Sequence, residues 1–303
     1  MKKKRKLQGI LMVLAALAVL SGLCGCGKKK EKKIILGYDN TAEEAILAGM
    51  LVNLIEQDTD ISVEVMGDLS GGETVLHPAI TSGEIDLYPE YTGTAWLTIL
   101  KHEEIPDRET LNEQLFKEYE ENYDLKWVGL YGFNNSYGLA VADDVAEKYG
   151  LKTFSDLAAV SSELSFGAEP GFFERDDGYK GLCEVYGFQF ADTSDLTFSL
   201  KYDAVAQKKV DAVNIFTTDG RLALSNVTVL EDDKHYFPEY RCGTVIRKEI
   251  LEDYPELTAV LEKMDGLVQD ADMSALNKKV EVDGEEPEDV AKAFLIEKGL
   301  LKE

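Results

Sequence analysis

The sequence predicts an α/β fold in which about two domains share 303 residues. From Ile34 onward, short apolar runs alternate with amphipathic segments, an order typical of alternating strands and helices. The length suits about two domains of roughly 100–200 residues each. One strand-to-helix stretch, Gly83–Thr94, also has a weaker copy at Lys209–Asp219. These three observations together favour two α/β units that each contain the same strand-to-helix segment.

The N-terminal segment predicts a signal for export. Five basic residues occupy positions 2–6 and precede an apolar run at positions 10–20. That run is short for a membrane crossing, since a spanning helix needs about 20 residues. A basic segment followed by a short apolar run is typical of a signal peptide. A plain secretory signal or an uncleaved anchor is the alternative to the lipoprotein signal described next.

The signal ends in Leu23-Cys24-Gly25-Cys26, which resembles a bacterial lipobox. Cys26 has Leu at −3 and Gly at −1 and fits the register, whereas Cys24 fits it less well. We therefore expect a lipoprotein signal peptide at residues 1–25 and a lysine-rich, flexible tether at residues 26–33. The lipidated Cys26 would hold the protein on the outer face of the bacterial cell membrane.

The overall charge is strongly acidic. The chain has 57 acidic and 32 basic residues, for a net charge of −25. Such a protein is repelled by nucleic acid phosphates, so nucleic acid is not an expected partner. A well-solvated surface explains the charge most simply. A more specific interpretation is a general attraction for cationic solutes.

The first elements follow directly from local patterns. Ile34–Tyr38 is predicted to be a strand, and Thr41–Glu44 resembles a capping box that opens a helix through Ile55. Ile61–Val65 is the second predicted strand. A glycine-rich turn then leads into a helix through Ile80.

The stretch Gly83–Thr94 predicts a strand that runs into a turn and a helix. Apolar and polar residues alternate up to Tyr91 with the period of a strand. Pro89 predicts the end of that strand or a sheet edge, because proline has no N–H to donate. Thr92 or Thr94 is expected to cap a helix through Leu100. Ligands bind at the carboxyl ends of strands in open α/β sheets, where a ring would attract a cation.

The remaining elements continue the alternation, and the chain is expected to cross into a second unit and return. The expected elements are a helix at Thr110–Glu121, a strand at Leu125–Leu130, a first crossing at Asn134–Val141, helices at Asp143–Tyr149 and from Thr153, a strand at Leu164–Ala168, an irregular loop at Glu169–Gly181, helices at Leu182–Tyr186 and Tyr202–Lys208, strands at Val210–Phe216 and Val227–Leu230, a return crossing at Tyr240–Arg247 and a helix at Ala291–Glu297.

The internal copy aligns Glu84–Thr94 with Lys209–Asp219. Aspartate pairs with aspartate, Tyr91 with Phe216, and threonine with threonine, and a predicted helix precedes each segment. If the copy is real, two rings face each other across a cleft between two lobes.

Catalytic patterns are sparse. None of the three histidines has a recognisable nucleophile or acidic partner. The sequence contains no phosphate-binding loop, no dinucleotide fingerprint and no paired-cysteine metal spacing. We therefore expect no catalytic residues, no metal and no cofactor, and a protein that is not an enzyme. Cys183 and Cys242 leave two readings open, a disulfide or two free thiols.

Aromatic residues at turns give the stronger functional signal. Tyr91, Tyr137, Phe216 and Tyr240 each follow a predicted strand or lie at a crossing between the units. Single rings in such positions usually pack against a core. Four of them suggest a box of π-faces, which suits a quaternary ammonium group because that cation has no hydrogen-bond donor to leave unpaired.

Three segments resemble the substrate-binding proteins of osmoprotectant ABC importers. They are Tyr88–Thr94, Gly167–Leu182 and Phe216–Arg221, and the C-terminal Met273–Asn277 and Val290–Leu295 are similar to the same family. The resemblance implies a two-lobed, type II periplasmic-binding-protein fold with a ligand cleft between the lobes. It implies lobe 1 at residues 34–132 plus 240–303 and lobe 2 at residues 133–239.

By position, Tyr91, Tyr137, Phe216 and Tyr240 match the family's aromatic cage, and Phe216 departs from the usual tyrosine. Thr94 matches the residue that meets the polar end of the ligand. Glu44 stands in a segment where relatives often carry a glutamine. If it is ionised and faces the cavity, it would repel a carboxylate and would tolerate or favour the hydroxyl of choline. Otherwise it turns away and complements its own helix dipole.

The resemblance therefore implies a lipoprotein that captures choline, glycine betaine or carnitine for osmoprotection and delivers it to an ABC permease. The alternative is a binding protein of the same fold for an amino acid or another cationic molecule. An exported hydrolase or transferase and a surface adhesion protein are the remaining classes.

Overall fold

A computed structural model describes residues 32–302 except 68, 70, 175–177 and 198–199. The predicted signal peptide, Cys26 and nearly all of the predicted tether lie outside the described residues. Within the described residues, no helix has the length and apolar character needed to cross a membrane.

Helices and strands alternate along most of the chain, as the sequence pattern predicts. In chain order they are β1 (Lys32–Gly37), α1 (Ala42–Asp58), β2 (Ile61–Met66), α2 (Glu73–Ser82), β3 (Leu87–Tyr91), α3 (Thr92–Thr94) continuing as a π-helical turn (Ala95–Ile99), α4 (Arg108–Tyr123), β4 (Leu125–Asn134), β5 (Tyr137–Ala142), α5 (Asp143–Tyr149), α6 (Phe154–Val160), β6 (Ser165–Ala168), α7 (Pro170–Glu174), α8 (Tyr179–Tyr186), β7 (Asp192–Asp195), α9 (Lys201–Ala206), β8 (Ala212–Phe216), β9 (Val227–Leu230), β10 (Arg241–Arg247), α10 (Lys248–Asp253), α11 (Glu256–Leu261), α12 (Asp270–Glu281) and α13 (Pro287–Glu297).

The strands form two separate sheets of five strands each, which confirms the mixed α/β class. The first sheet has the order β2-β1-β3-β10-β4, and the second has the order β7-β6-β8-β5-β9. We call the first sheet with its helices lobe 1 and the second sheet with its helices lobe 2. The domain boundaries expected from the sequence stay a prediction.

Each lobe has its own core. In lobe 1, helix α1 lies in the centre and packs against α13 and α12. Its buried side chains, together with those of β1, make an aliphatic cluster that includes Ile34, Leu36, Leu47, Met50 and Leu51. In lobe 2 the core is rich in rings, including Phe154, Phe166, Phe172 and Phe188. Because the cores are separate, each lobe can hold its share of a site as a rigid unit.

The internal copy is present in the structure as two equivalent strands. β3 and β8 are each five residues long, and both place their aligned ring, Tyr91 or Phe216, at the last position. Asp86 receives the backbone N–H of Ile35 at 2.8 Å, and Asp211 receives that of Ser165 at the same distance. Each aspartate therefore joins its strand to the neighbouring parallel strand. The following helix is not repeated, because β8 leads into a turn.

The predicted helix cap at Thr92 or Thr94 is wrong. Thr92 is the first residue of α3 and Tyr91 occupies the capping position without a side-chain hydrogen bond. The Thr92 hydroxyl donates to the backbone carbonyl of Glu239 and accepts from the backbone N–H of Arg241. It thereby holds the start of β10 beside β3.

The prediction that Pro89 marks a strand end or a sheet edge is also wrong, since β3 lies inside the sheet between β1 and β10. Its antiparallel partner on β10 is Thr244. On the other side, β3 pairs with β1 at Leu36 and Leu87, ahead of the proline. The missing N–H therefore interrupts no ladder on the β1 side.

Two further segments differ from expectation. The loop expected at Glu169–Gly181 contains α7 and the beginning of α8, because the Glu169 carbonyl accepts from the N–H groups of Phe172 and Phe173. The segment expected as a return crossing, Tyr240–Arg247, is mostly strand β10 between β3 and β4. Both differences come from contacts that local sequence patterns do not reveal.

Cys183 and Cys242 are both free thiols. Cys242 is buried in β10 and faces Tyr91 across the ladder, and burial raises its pKa. Cys183 is partly buried in α8.

Candidate functional site

A cavity of about 560 Å³ lies where β3 of lobe 1 and β8 of lobe 2 end. Its size falls in the range of about 300–1,000 Å³ that is usual for small-molecule sites. All six ligand residues expected from the sequence line it: Glu44, Tyr91, Thr94, Tyr137, Phe216 and Tyr240. The sequence reasoning missed several polar lining residues, namely Glu43, Asn135, Thr218, Asp219, Arg221, Asn277 and Glu281. That the six residues contact a ligand stays a prediction.

Three rings form a continuous aromatic wall centred on Tyr137. Its ring lies 4.8 Å from Phe216 and 5.9 Å from Tyr240, measured between centroids. Tyr137 and Phe216 are direct partners across the β5–β8 ladder, which sets this spacing. Tyr240 packs against Gly93 so closely that a Cβ there would lie 2.7 Å from the ring. The wall is therefore fixed by a strand register and a close backbone approach.

Tyr91 also lines the cavity, and its hydroxyl is bonded to a buried carboxyl group. Its hydroxyl donates to Glu43 at 2.7 Å. Burial raises the pKa of Tyr91, so the hydroxyl stays protonated and acts as a donor.

Glu43 collects donors from distant parts of the chain. Besides Tyr91, it accepts from the amide nitrogens of Asn135 and Asn277, each at 2.8 Å. Its side chain is buried, and burial raises its pKa although the hydrogen bonds act in the opposite direction. Asn277 also donates to the Thr218 carbonyl at 2.9 Å, which links lobe 1 to lobe 2.

The same network leaves two acceptors open beside the cavity. The amide oxygens of Asn135 and Asn277 are buried and have no hydrogen-bond partner among the described residues. Their amide nitrogens are directed at Glu43, which turns the oxygens away from it. Buried polar atoms normally have a partner, so this end of the cavity is suited to a ligand that brings N–H or O–H donors.

Glu44 lines the cavity and is also hydrogen-bonded to residues at the start of its own helix. Its carboxylate accepts from the backbone N–H of Asp39 at 2.7 Å, and its N–H donates to the Thr41 hydroxyl. Burial raises the pKa of Glu44 to about 8. Whether Glu44 contacts a ligand stays a prediction. A first-turn pattern cannot tell which glutamate turns inward, and Glu43, one position earlier, forms the wider network.

Ionisable groups of both lobes complete the lining. Asp219 accepts from the Tyr202 hydroxyl at 2.6 Å and from the Arg221 N–H at 2.9 Å. Burial raises the pKa of Glu281 to about 7, and the nearby Arg221 acts in the opposite direction. The lining therefore has four carboxyl groups and Arg221 as a cation, an arrangement that favours a ligand with positive charge.

No group of three or more histidine, cysteine, aspartate or glutamate residues with a geometry suited to a metal ion occurs in the described part of the chain. The cavity thus offers π-faces, hydrogen-bond acceptors and one guanidinium group.

Comparisons with known proteins give consistent matches along the chain. Residues 32–297 match the family model OpuAC, described as the substrate binding domain of an ABC-type glycine betaine transport system. The ergothioneine transport permease/ergothioneine binding protein EgtU of Helicobacter pylori (strain G27) is 40% identical over 302 residues. This match covers 99% of the chain and 54% of EgtU, so the chain spans about half the length of that relative.

Two further matches cover nearly the whole of the other protein. The carnitine transport binding protein OpuCC of Listeria monocytogenes is 34% identical, and the match covers 97% of each chain. A solved structure described as a glycine betaine/carnitine/choline ABC transporter superposes with a TM-score of 0.80 at 32% identity. It covers 88% of this chain and 99% of the other.

Proposed function

We propose a ligand for this chain on the premise that it belongs to the OpuAC family, the substrate-binding domains of ABC-type glycine betaine transport systems. The family resemblance and the two-lobed α/β fold expected from the sequence are thereby confirmed. The protein is an extracytoplasmic substrate-binding protein of an osmoprotectant-type ABC importer, which binds a small molecule and delivers it to the permease.

The proposed ligand is a trimethylammonium compound whose tail carries hydrogen-bond donors. The carrying observation is that one cavity lining combines aromatic rings, at Tyr137, Phe216 and Tyr240, with hydrogen-bonding amide groups, at Asn135 and Asn277. π-Faces attract a cation that cannot donate hydrogen bonds. The polar groups of the same lining suit a ligand that also carries hydrogen-bond donors.

Ergothioneine, which the H. pylori relative is named for, meets both requirements. It has a trimethylated amino group, a carboxylate and a ring with N–H donors. Arg221 is the basic residue of the lining and supplies a counter-charge for the carboxylate. Choline satisfies the cage and supplies one hydroxyl donor. Glycine betaine ends in a bare carboxylate and has no N–H or O–H donor for the polar part of the lining.

A free amino acid is the second candidate, because Arg221 suits any carboxylate. An unmethylated ammonium group would place N–H donors against π-faces that cannot accept them fully, so we rank this candidate lower. We also propose that the protein releases its ligand unchanged and performs no catalysis.

The test is isothermal titration calorimetry with two pairs of related compounds. Ergothioneine and histidine differ in methylation and sulfur, and choline and glycine betaine differ in the polar tail. We expect ergothioneine to bind most tightly, choline next, and histidine not at all. Tighter binding of glycine betaine than of ergothioneine, or equal binding of histidine, would overturn the proposed ligand class. Recovery of intact ligand from the protein tests the absence of catalysis.

Lipid attachment at Cys26 is proposed separately, on the lipobox-like sequence that precedes it. Fractionation of cells that express the full chain tests it. We expect the protein in the membrane fraction and the Cys26→Ser variant in the soluble extracytoplasmic fraction, with Cys24→Ser as the matched control. Equal distribution of both variants would contradict lipidation at Cys26.

A further inference from the structure

A buried ion pair lies behind one wall of the aromatic cage. The side chain of Lys201 is fully buried, and its ammonium lies 2.5 Å from a carboxylate oxygen of Glu169. The same ammonium is positioned over the ring of Phe216, 5.5 Å from the centroid. Phe216 lines the cavity, whereas Lys201 is not among the lining residues.

Other groups fix the carboxylate in this place. Glu169 directly follows β6, and its second oxygen accepts from the amide nitrogen of Asn214 at 2.7 Å. Asn214 is fully buried on β8, two positions before Phe216 and on the same face. The strand that presents the cage ring thus also orients the counter-charge behind it. This arrangement in lobe 2 does not follow from the match of Tyr91 with Phe216.

The buried cation acts against the function of the ring. A ring face attracts a ligand cation through its negative π-cloud, and a second cation over the other face opposes that attraction. Burial lowers the pKa of Lys201, and the carboxylates of Glu169 and Asp219 act in the opposite direction and favour its charged form. Glu169 and Asp219 are therefore the carboxylates that compensate the Lys201 charge at close range.

We propose that Glu169 is a specificity-determining positioning residue, which neutralises Lys201 so that Phe216 can serve as a cation-binding wall. The proposal rests on the trimethylammonium ligand proposed above. A ligand nitrogen about 5–6 Å in front of the ring would lie about 11 Å from the Lys201 ammonium. At that distance an uncompensated unit charge, in an effective dielectric of about 20, weakens the binding of a cation about tenfold.

The experiment compares choline with 3,3-dimethylbutan-1-ol, which has the same shape but a neutral carbon in place of the nitrogen. Affinities are measured by calorimetry at pH 6, where an unpaired Lys201 is more readily kept charged. We expect Glu169→Gln to weaken choline about tenfold and to leave the neutral alcohol within twofold. The double variant Glu169→Gln with Lys201→Met is expected to restore choline binding, and Glu169→Asp to retain most of it.

A purely structural role predicts a different result, in which Glu169→Gln weakens both compounds in parallel and the double variant does not recover. That outcome, or an unchanged ratio of the two affinities, would overturn the inference. Wild-type protein that binds ergothioneine but not choline would also overturn it while leaving the proposed function intact. Wild-type protein that binds no trimethylammonium compound would overturn both.

Discussion

Replacing Tyr137 by leucine is expected to weaken ligand binding about 5- to 30-fold. The ring of Tyr137 is the centre of the aromatic wall, within 6 Å of both Phe216 and Tyr240. A desolvated cation–π contact is worth about 1–2 kcal/mol, which corresponds to that range of dissociation constants. Leucine keeps an apolar side chain at this position and removes the π-face, so it isolates the electrostatic part of the contact.

The assay is calorimetric titration with ergothioneine and choline, and Tyr137→Phe is the matched control. The phenylalanine variant keeps the π-face and is expected to stay within about threefold of the wild type. Urea unfolding of all three proteins checks that lobe 2 remains intact, since the Tyr137 ring also packs on Phe172 and Phe237. Leucine and phenylalanine variants of equal affinity would refute the reasoning, because apolar contact alone would then explain the wall.

Three further predictions address closure, charge and the paired aspartates. Gly220→Ala is expected to weaken ligand binding at least tenfold, because the new Cβ would lie 2.3 Å from the backbone nitrogen of Lys278 in the other lobe. Calorimetry measures this affinity. The control is Gly171→Ala, which should bind normally because its Cβ meets nothing within 4 Å. Choline affinity should fall from pH 8 to pH 6, because Glu281, with a pKa of about 7, becomes protonated and no longer attracts a cation. Calorimetric titrations across this range should show a smaller fall in affinity for Glu281→Gln. An identical fall in the variant would exclude a contribution from Glu281. Asp86→Ala should lower the free energy of unfolding by about 1–3 kcal/mol, because it removes the acceptor of the partly buried Ile35 N–H. Urea denaturation measures this, and an unchanged midpoint would contradict the role.

Local sequence patterns were sufficient to place two of the rings that line the cavity. Tyr91 and Phe216 end strands whose alternation is visible in the sequence, and both line the cavity. The aspartates five residues before them, Asp86 and Asp211, are part of the internal copy that the sequence showed. In the structure both accept a backbone N–H from the neighbouring parallel strand. A residue at the end of a parallel strand projects at the edge of its sheet in any arrangement of the lobes, so its general location follows from the strand alone.

The sequence by itself thus determined the α/β class, the family and the aromatic end of the cavity, because each depends on residues close together in the chain. Only the tertiary structure decided the polar end. Glu43 and Asn277 are 234 positions apart, and Glu169 and Lys201 meet behind Phe216 through the pairing of β6 with β8. Such contacts depend on which helices and strands pack together, and a buried charge is stable only where that packing supplies its partner. No local periodicity encodes that partner, which is why the pattern identified the glutamate pair at the start of α1 but not the member that turns inward.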